Sequence, residues 1–139
     1  MSSFWDSSAI VPLFVPEPAT DFARGELQSG VPVVWWSTLA EVASGIVRSG
    51  GCQVEELQIT LLQLQSLKAE WREIEPSERV RELALEHLQR FDLRAADALQ
   101  LGAALVWCSE RPRGRRFICN DRKLSDAARQ LGFDVVSFY

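Results

Sequence analysis

The run VPVVWW, residues 31 to 36, is apolar at both odd and even positions, so a strand made of it must be buried on both faces. It passes directly into STLAEVASGIVRSGG, whose apolar residues recur at helical spacing and whose close is expected at Gly50 and Gly51. The same order recurs elsewhere. Ser3 to Trp5 read as a short strand, and DSSAIVPLF then offers Asp6, Ser7 or Ser8 as the N-cap of a helix with Pro12 in its first turns. RRFICND (115 to 121) is a strand, RKLSDAARQLG a helix ending at Gly132, and DVVSFY a closing strand. Strands that alternate with helices predict an α/β fold with a mainly parallel sheet covered on both faces.

Between the second and third of these units the spacing predicts helices only. Val54, Leu57, Leu61, Leu64 and Trp71 place an amphipathic helix over 53–72, ended by EIEPS. Val80, Leu83, Ala84, His87 and Leu88 share one face of a helix over 77–90, and a third helix begins near LRAADALQL with Asp92 as the expected N-cap. A chain of 139 residues fits one domain, 1–139, and no repeat or linker divides it.

An acid follows each of three strands at once or within a helical turn: Asp6, Glu41 and Asp121. The carboxyl ends of strands are where open α/β sheets gather their ligands. Asp97 stands among alanines and leucines one turn into its helix and joins the group if that helix packs over the same sheet edge. Two unit charges about 4 Å apart repel by roughly 4 kcal/mol at an effective dielectric of about 20, so such a group recruits protons or cations. Oxygen-only ligands select a hard ion, Mg²⁺ or Mn²⁺, and such an ion can orient water for in-line attack on a phosphodiester.

Each acid also has a purely structural explanation. Asp6 and Asp121 stand where N-caps stand, and Thr38 with Glu41 has the spacing of a capping box, in which Glu41 would bond back to the backbone at Thr38. Asp97 is too far from the helix start to cap it and would only complement the dipole or pair with Arg94. His87 falls on a core-facing stripe and offers no serine-hydrolase arrangement, and Trp35, Trp36 and Trp107 read as core or interface.

The net charge of −4 gives no global attraction for nucleic acid, so any contact must be local. Six basic residues lie between 109 and 123, and Arg115, Arg116, Arg122 and Lys123, next to the last acid, are the candidates for RNA phosphate contact. Cys52, Cys108 and Cys119 are an odd number without paired CxxC spacing, which argues against a disulfide framework or zinc site and for a reducing, cytoplasmic setting. The apolar run AIVPLFV lacks preceding basic residues and contains Pro12, so no secretory signal is expected, nor any membrane span.

DSSAIV (6 to 11), TLAEVASGIVR (38 to 48), LRAADALQLGAAL (93 to 105) and FICNDRKLSDAARQLGF (117 to 133), taken together, resemble the PIN-domain family, and within it the VapC-type toxins of toxin–antitoxin pairs. The resemblance implies a three-layer α/β/α domain and a Mg²⁺- or Mn²⁺-dependent endoribonuclease site. Its four acids fall on Asp6, Glu41, Asp97 and Asp121, with Ser8 and Asn120 as assisting residues. Asp6, Asp97 and Asp121 would hold the metal, and Glu41 would help hold it or orient the attacking water. The chain departs from the family pattern at Gly102, usually Ala, and at Cys119, often Thr or Ser; neither removes a ligand. A homodimer and a small VapB-like antitoxin partner are also implied, with the apolar faces of 53–72 and 77–90 as candidate interfaces.

Three other functions remain in view: a non-catalytic PIN-like module binding RNA or protein, a housekeeping nuclease, and a Mg²⁺-dependent phosphatase or phosphoacceptor. A dehalogenase-type phosphatase needs a second Asp two residues after the first, where this chain has Ser8. A receiver needs a pair of acids before its phosphoacceptor, and these are missing.

Overall fold

The computed structural model describes residues 1–50 and 53–139, so the expected helix stop at Gly51 and the thiol of Cys52 lie outside the described residues. Five strands form one sheet: β1 (Ser2–Trp5), β2 (Val31–Trp35), β3 (Arg72–Ile74), β4 (Arg116–Cys119) and β5 (Asp134–Ser137). Their order is β3-β2-β1-β4-β5, and every pairing is parallel. Helices α1 (Ser7–Ile10) and α2 (Thr20–Leu27) connect β1 to β2, and α3 (Thr38–Arg48) and α4 (Val54–Lys68) connect β2 to β3. Next, α5 (Glu78–Arg90) and α6 (Ala95–Trp107) lead to β4, and α7 (Arg122–Leu131) leads to β5.

The both-faces-buried pattern of the strands is what makes three layers. Phe4, Val33, Trp35, Phe117 and Cys119 point to one face and pack under α5, α6 and α7. Trp5, Val34 and Ile118, the alternate residues, pack against Ile10, Val42, Ile46 and Leu64 on the other. The expected three-layer α/β/α architecture is therefore present, with a sheet that is parallel throughout.

Four local expectations are corrected. The helix expected over 53–72 stops at Lys68, and residues 72 to 74 form the edge strand β3. Trp71 is buried just before it and donates through Nε1 to Glu73 at 3.0 Å. Helix α2 has no counterpart in the sequence reading, because only Thr20 and Ala23 of its eight residues are buried. Asp92 does not cap α6: Arg94 occupies the N-cap position without a side-chain bond, and Asp92 instead pairs with Lys123 at 2.8 Å. Pro12 lies in a short 3₁₀ turn (Val11–Leu13) after α1, not in its first turns.

The order β3-β2-β1-β4-β5 contains a reversal at β1: the chain first builds outward on one side of that strand, then on the other. In sheets of this kind the crevice for a ligand opens outside the carboxyl ends at the reversal, here between β1 and β4. Gly102 lets α6 lie tight against α5, since a Cβ there would stand 2.7 Å from the Val80 carbonyl oxygen.

Candidate active site

Asp6 and Asp121 stand one and two residues beyond the ends of β1 and β4, on either side of the crevice that the sheet order creates. Both are N-caps as well as site residues. Asp6 Oδ2 accepts from the Ser8 amide at 3.1 Å, and Asp121 Oδ2 accepts from the Leu124 amide at 2.9 Å. Capping fixes each carboxylate at a helix start and leaves its second oxygen for other work.

Asp6 is 2% exposed, and its Oδ1 is buried with no hydrogen-bond partner. Burial pushes its carboxyl up to about 7, opposed by the Ser8 hydrogen bonds and reinforced by repulsion from Asp97 and Glu41. Asp97 is half-buried in the first turn of α6. Burial again raises its pKa above the ordinary range, repulsion from Asp121 and Glu41 adds to the rise, and Arg94 opposes it. Asp97 thus sits within electrostatic reach of Asp121, Glu41 and Asp6, and Asp6 within reach of Glu41. Asp97 and Asp121 face a cleft of about 560 Å³ that Asp92, Leu93, Arg94 and Lys123 complete.

Glu41 does not close a capping box. Its Oε1 accepts from Ser7 Oγ at 3.0 Å and its Oε2 from Ser37 Oγ at 2.5 Å, while Gln100 Nε2 reaches both oxygens at 3.3 and 3.4 Å. The N-cap of α3 is Ser37, with no side-chain bond to the backbone, so the Glu41 carboxylate is held by side chains of the helix start, α1 and α6 and not by the Thr38 amide.

Ser8 ties the two sides together: its hydroxyl donates to Asp6 Oδ2 and accepts from the Asn120 amide at 2.9 Å. Asn120 takes part through its backbone, whereas its side chain bonds Glu17 at 3.3 Å. Cys119 Sγ lies 3.8 Å from Asp6 Oδ2, and burial together with the Asp6 charge pushes its thiol up to about 12, so it is neutral.

The basic candidates divide. Lys123 lines the cleft, whereas Arg122, its neighbour in the chain, lies over the Tyr139 ring, 4.3 Å from the centroid. Arg115 and Arg116 are at the amino end of β4, a strand's length or about 13 Å from its carboxyl edge. There Arg116 pairs with Glu26 at 2.8 Å and Arg115 covers Trp107 at 4.2 Å. Both belong to the far side of the sheet, so the run that is continuous in sequence is split in space. His87 is buried with Nδ1 2.7 Å from the Leu83 carbonyl oxygen, as a core residue.

Sequence reasoning passed over Ser7, Ser37 and Gln100 as site residues. For Gln100 a signal existed, since it lies three residues beyond Asp97 on the same helical face.

The donors are all hard oxygens, and the unpartnered Asp6 Oδ1 is a buried acceptor awaiting a proton or cation, so the residue types fit Mg²⁺ or Mn²⁺. Among the described residues no three acidic, His or Cys side chains stand close enough to surround one ion directly. That spacing suits an ion held by one or two carboxylates and its own water shell, the habit of Mg²⁺.

Comparison with known proteins agrees with the fold. Over 99% of this chain and 98% of the other, it superposes on a toxin–antitoxin complex from Klebsiella pneumoniae, with 18% identity and a TM-score of 0.67. VapBC2 from Rickettsia felis, solved bound to a DNA fragment from its promoter, matches over 100% of both chains with 13% identity and a TM-score of 0.69. FitAcB from Neisseria gonorrhoeae matches over 100% of this chain and 97% of that one, with 17% identity and a TM-score of 0.65. Comparison with curated protein sequences gave no match. The family model described as PIN domain matches residues 4–130, and the chain therefore belongs to the PIN-domain family.

Proposed function

We propose that the chain is a metal-dependent endoribonuclease, the VapC-like toxin of a toxin–antitoxin pair. The observation that carries this reading is the gathering of Asp6, Glu41, Asp97 and Asp121 at the sheet reversal, with two of the four driven toward the protonated state. Evolutionarily inert acids at this density would cost stability with no return, whereas a cation relieves the repulsion.

In this reading one or two of Asp6, Asp97 and Asp121 would bind the ion directly, Asp6 through its free Oδ1, and the remainder would hold it through its water shell. Glu41, fixed by three donors, directs a carboxylate oxygen toward the ion or the attacking water. Mg²⁺ or Mn²⁺, when bound, supplies charge for the phosphodiester and its leaving oxygen and orients the nucleophile. Lys123 lines the cleft and Arg122 precedes it at the start of α7, and both would meet backbone phosphates of the incoming RNA. Ser8 and the Asn120 amide hold Asp6 in place without touching the substrate.

An antitoxin partner and a homodimer accord with the toxin–antitoxin relatives and with an apolar groove of about 640 Å³ between α3 and α4, lined by Leu39, Ala43, Leu61 and Leu62. A cytoplasmic location goes with this reading. No described helix is long and apolar enough to cross a membrane.

The test is direct. Purified protein incubated with a pool of unstructured RNAs in millimolar Mg²⁺ or Mn²⁺ is expected to cut internal phosphodiester bonds, and EDTA is expected to stop it. RNA that is bound but never cut would favour the non-catalytic PIN-like module, and release of inorganic phosphate from small phosphoesters would favour the phosphatase.

A further inference from the structure

Gln100 is fully buried in α6 between Leu99 and Leu101, where an apolar side chain would have been cheaper, and its Oε1 has no partner. Its Nε2 donates to Thr38 Oγ1 at 3.0 Å and to Glu41 at 3.3 and 3.4 Å. The amide can face only one way, because the reverse orientation would set a carbonyl oxygen against a carboxylate. Thr38 and Glu41 both belong to α3, while Asp97 lies one turn before Gln100 on α6. One turn of one helix therefore carries an acid of the site and the donor that aims another.

We propose that Gln100 is a positioning residue of the PIN-domain site: by donating to the Glu41 carboxylate from the helix that bears Asp97, it fixes Glu41 relative to Asp97. The inference rests on the proposed metal site and names a residue that acts on it through Glu41. Ser7 and Ser37 hold the same carboxylate from α1 and from the start of α3, but neither refers it to Asp97. Outer residues that orient metal-ligating side chains typically change affinity or activity by about 10–100-fold when lost.

The experiment uses Gln100→Met, close in volume and without a donor, together with Glu41→Ala and the double variant. Cooperative thermal unfolding in EDTA verifies that each is folded. Mn²⁺ affinity, read by electron paramagnetic resonance of the free ion, is expected to fall about tenfold or more in Gln100→Met. It should be nearly unchanged when the same substitution is made on Glu41→Ala, because there is no carboxylate left to aim. On RNA, kcat should fall with KM unaltered. Wild-type Mn²⁺ affinity and kcat in Gln100→Met, or an equal loss with and without Glu41, would overturn the proposal. Should the wild type bind Mn²⁺ yet cut no RNA, the nuclease reading fails while the Mn²⁺ cycle still decides the role of Gln100.

Discussion

Asp97→Asn is expected to lose RNA cleavage by about 10²–10³-fold or more while the protein stays folded. Asparagine has the same shape, keeps hydrogen-bonding capacity, and removes one unit of the negative charge that would hold the cation. The effect on folding runs the other way. Asp97 is raised in pKa by burial and by Asp121 and Glu41, so its ionised form is held against repulsion in the metal-free state. What is lost is its favourable interaction with the start of α6 and with Arg94, worth about 1–2 kcal/mol at a half-buried site and set against the relief of burial and repulsion. In EDTA the variant should therefore unfold at the same or higher urea concentration than wild type. Cleavage at the wild-type rate would remove Asp97 from the site. Lost cleavage accompanied by a large loss of stability would mark it as structural.

The second large effect is a pH dependence that Asp6 imposes on the metal-free protein. Its carboxyl is raised from 3.8 to about 7 by burial, against the two Ser8 hydrogen bonds. Between those values the folded state keeps a proton that the unfolded chain has released, so stability falls as pH rises through that window and levels off above about 7. Three pH units at 1.36 kcal/mol each set a ceiling of about 4 kcal/mol on the loss. Asp97, raised in the same direction, adds to the slope. Asp6→Asn preserves the N-cap, since Asn caps as well as Asp, and should flatten most of the decline. Urea unfolding at pH 5 and pH 8 in EDTA would measure it: the variant should be the more stable at pH 8. Parallel pH profiles for the two proteins would mean that Asp6 is not buried as an isolated carboxyl.

The sequence showed most where burial is two-sided. β1, β2 and β4 are central strands, and the consecutive apolar residues at their carboxyl ends, 4–5, 33–35 and 117–119, identified both the strands and the acids that follow them. β3 is at the sheet edge and only three residues long, so Arg72 and Glu73 can stay polar, and its signal merged with the tail of α4. α2 exposes most of its residues and leaves little periodicity to detect.

For the site, spacing brought the four acids to one edge but said little about their partners. Thr38 and Glu41 have the spacing of a capping box, yet tertiary donors on α1 and α6 draw the Glu41 carboxylate away from the backbone. Arg115 and Arg116 lie a few residues from Asp121 in the chain, but a strand crosses the sheet between them and Arg116 is engaged with Glu26. Linear proximity across a strand is separation in space. Gln100 escaped notice because one polar residue in a buried helix stripe does not by itself indicate what it bonds.

A cation that relieves the repulsion among the four carboxylates must also stabilise the folded state, and this linkage between binding and folding is measurable without RNA. The melting temperature of wild type in EDTA and in millimolar Mg²⁺ should differ, with Mg²⁺ raising it, and Asp97→Asn should show little or no rise. Equal rises in both proteins, or none in wild type, would contradict the account.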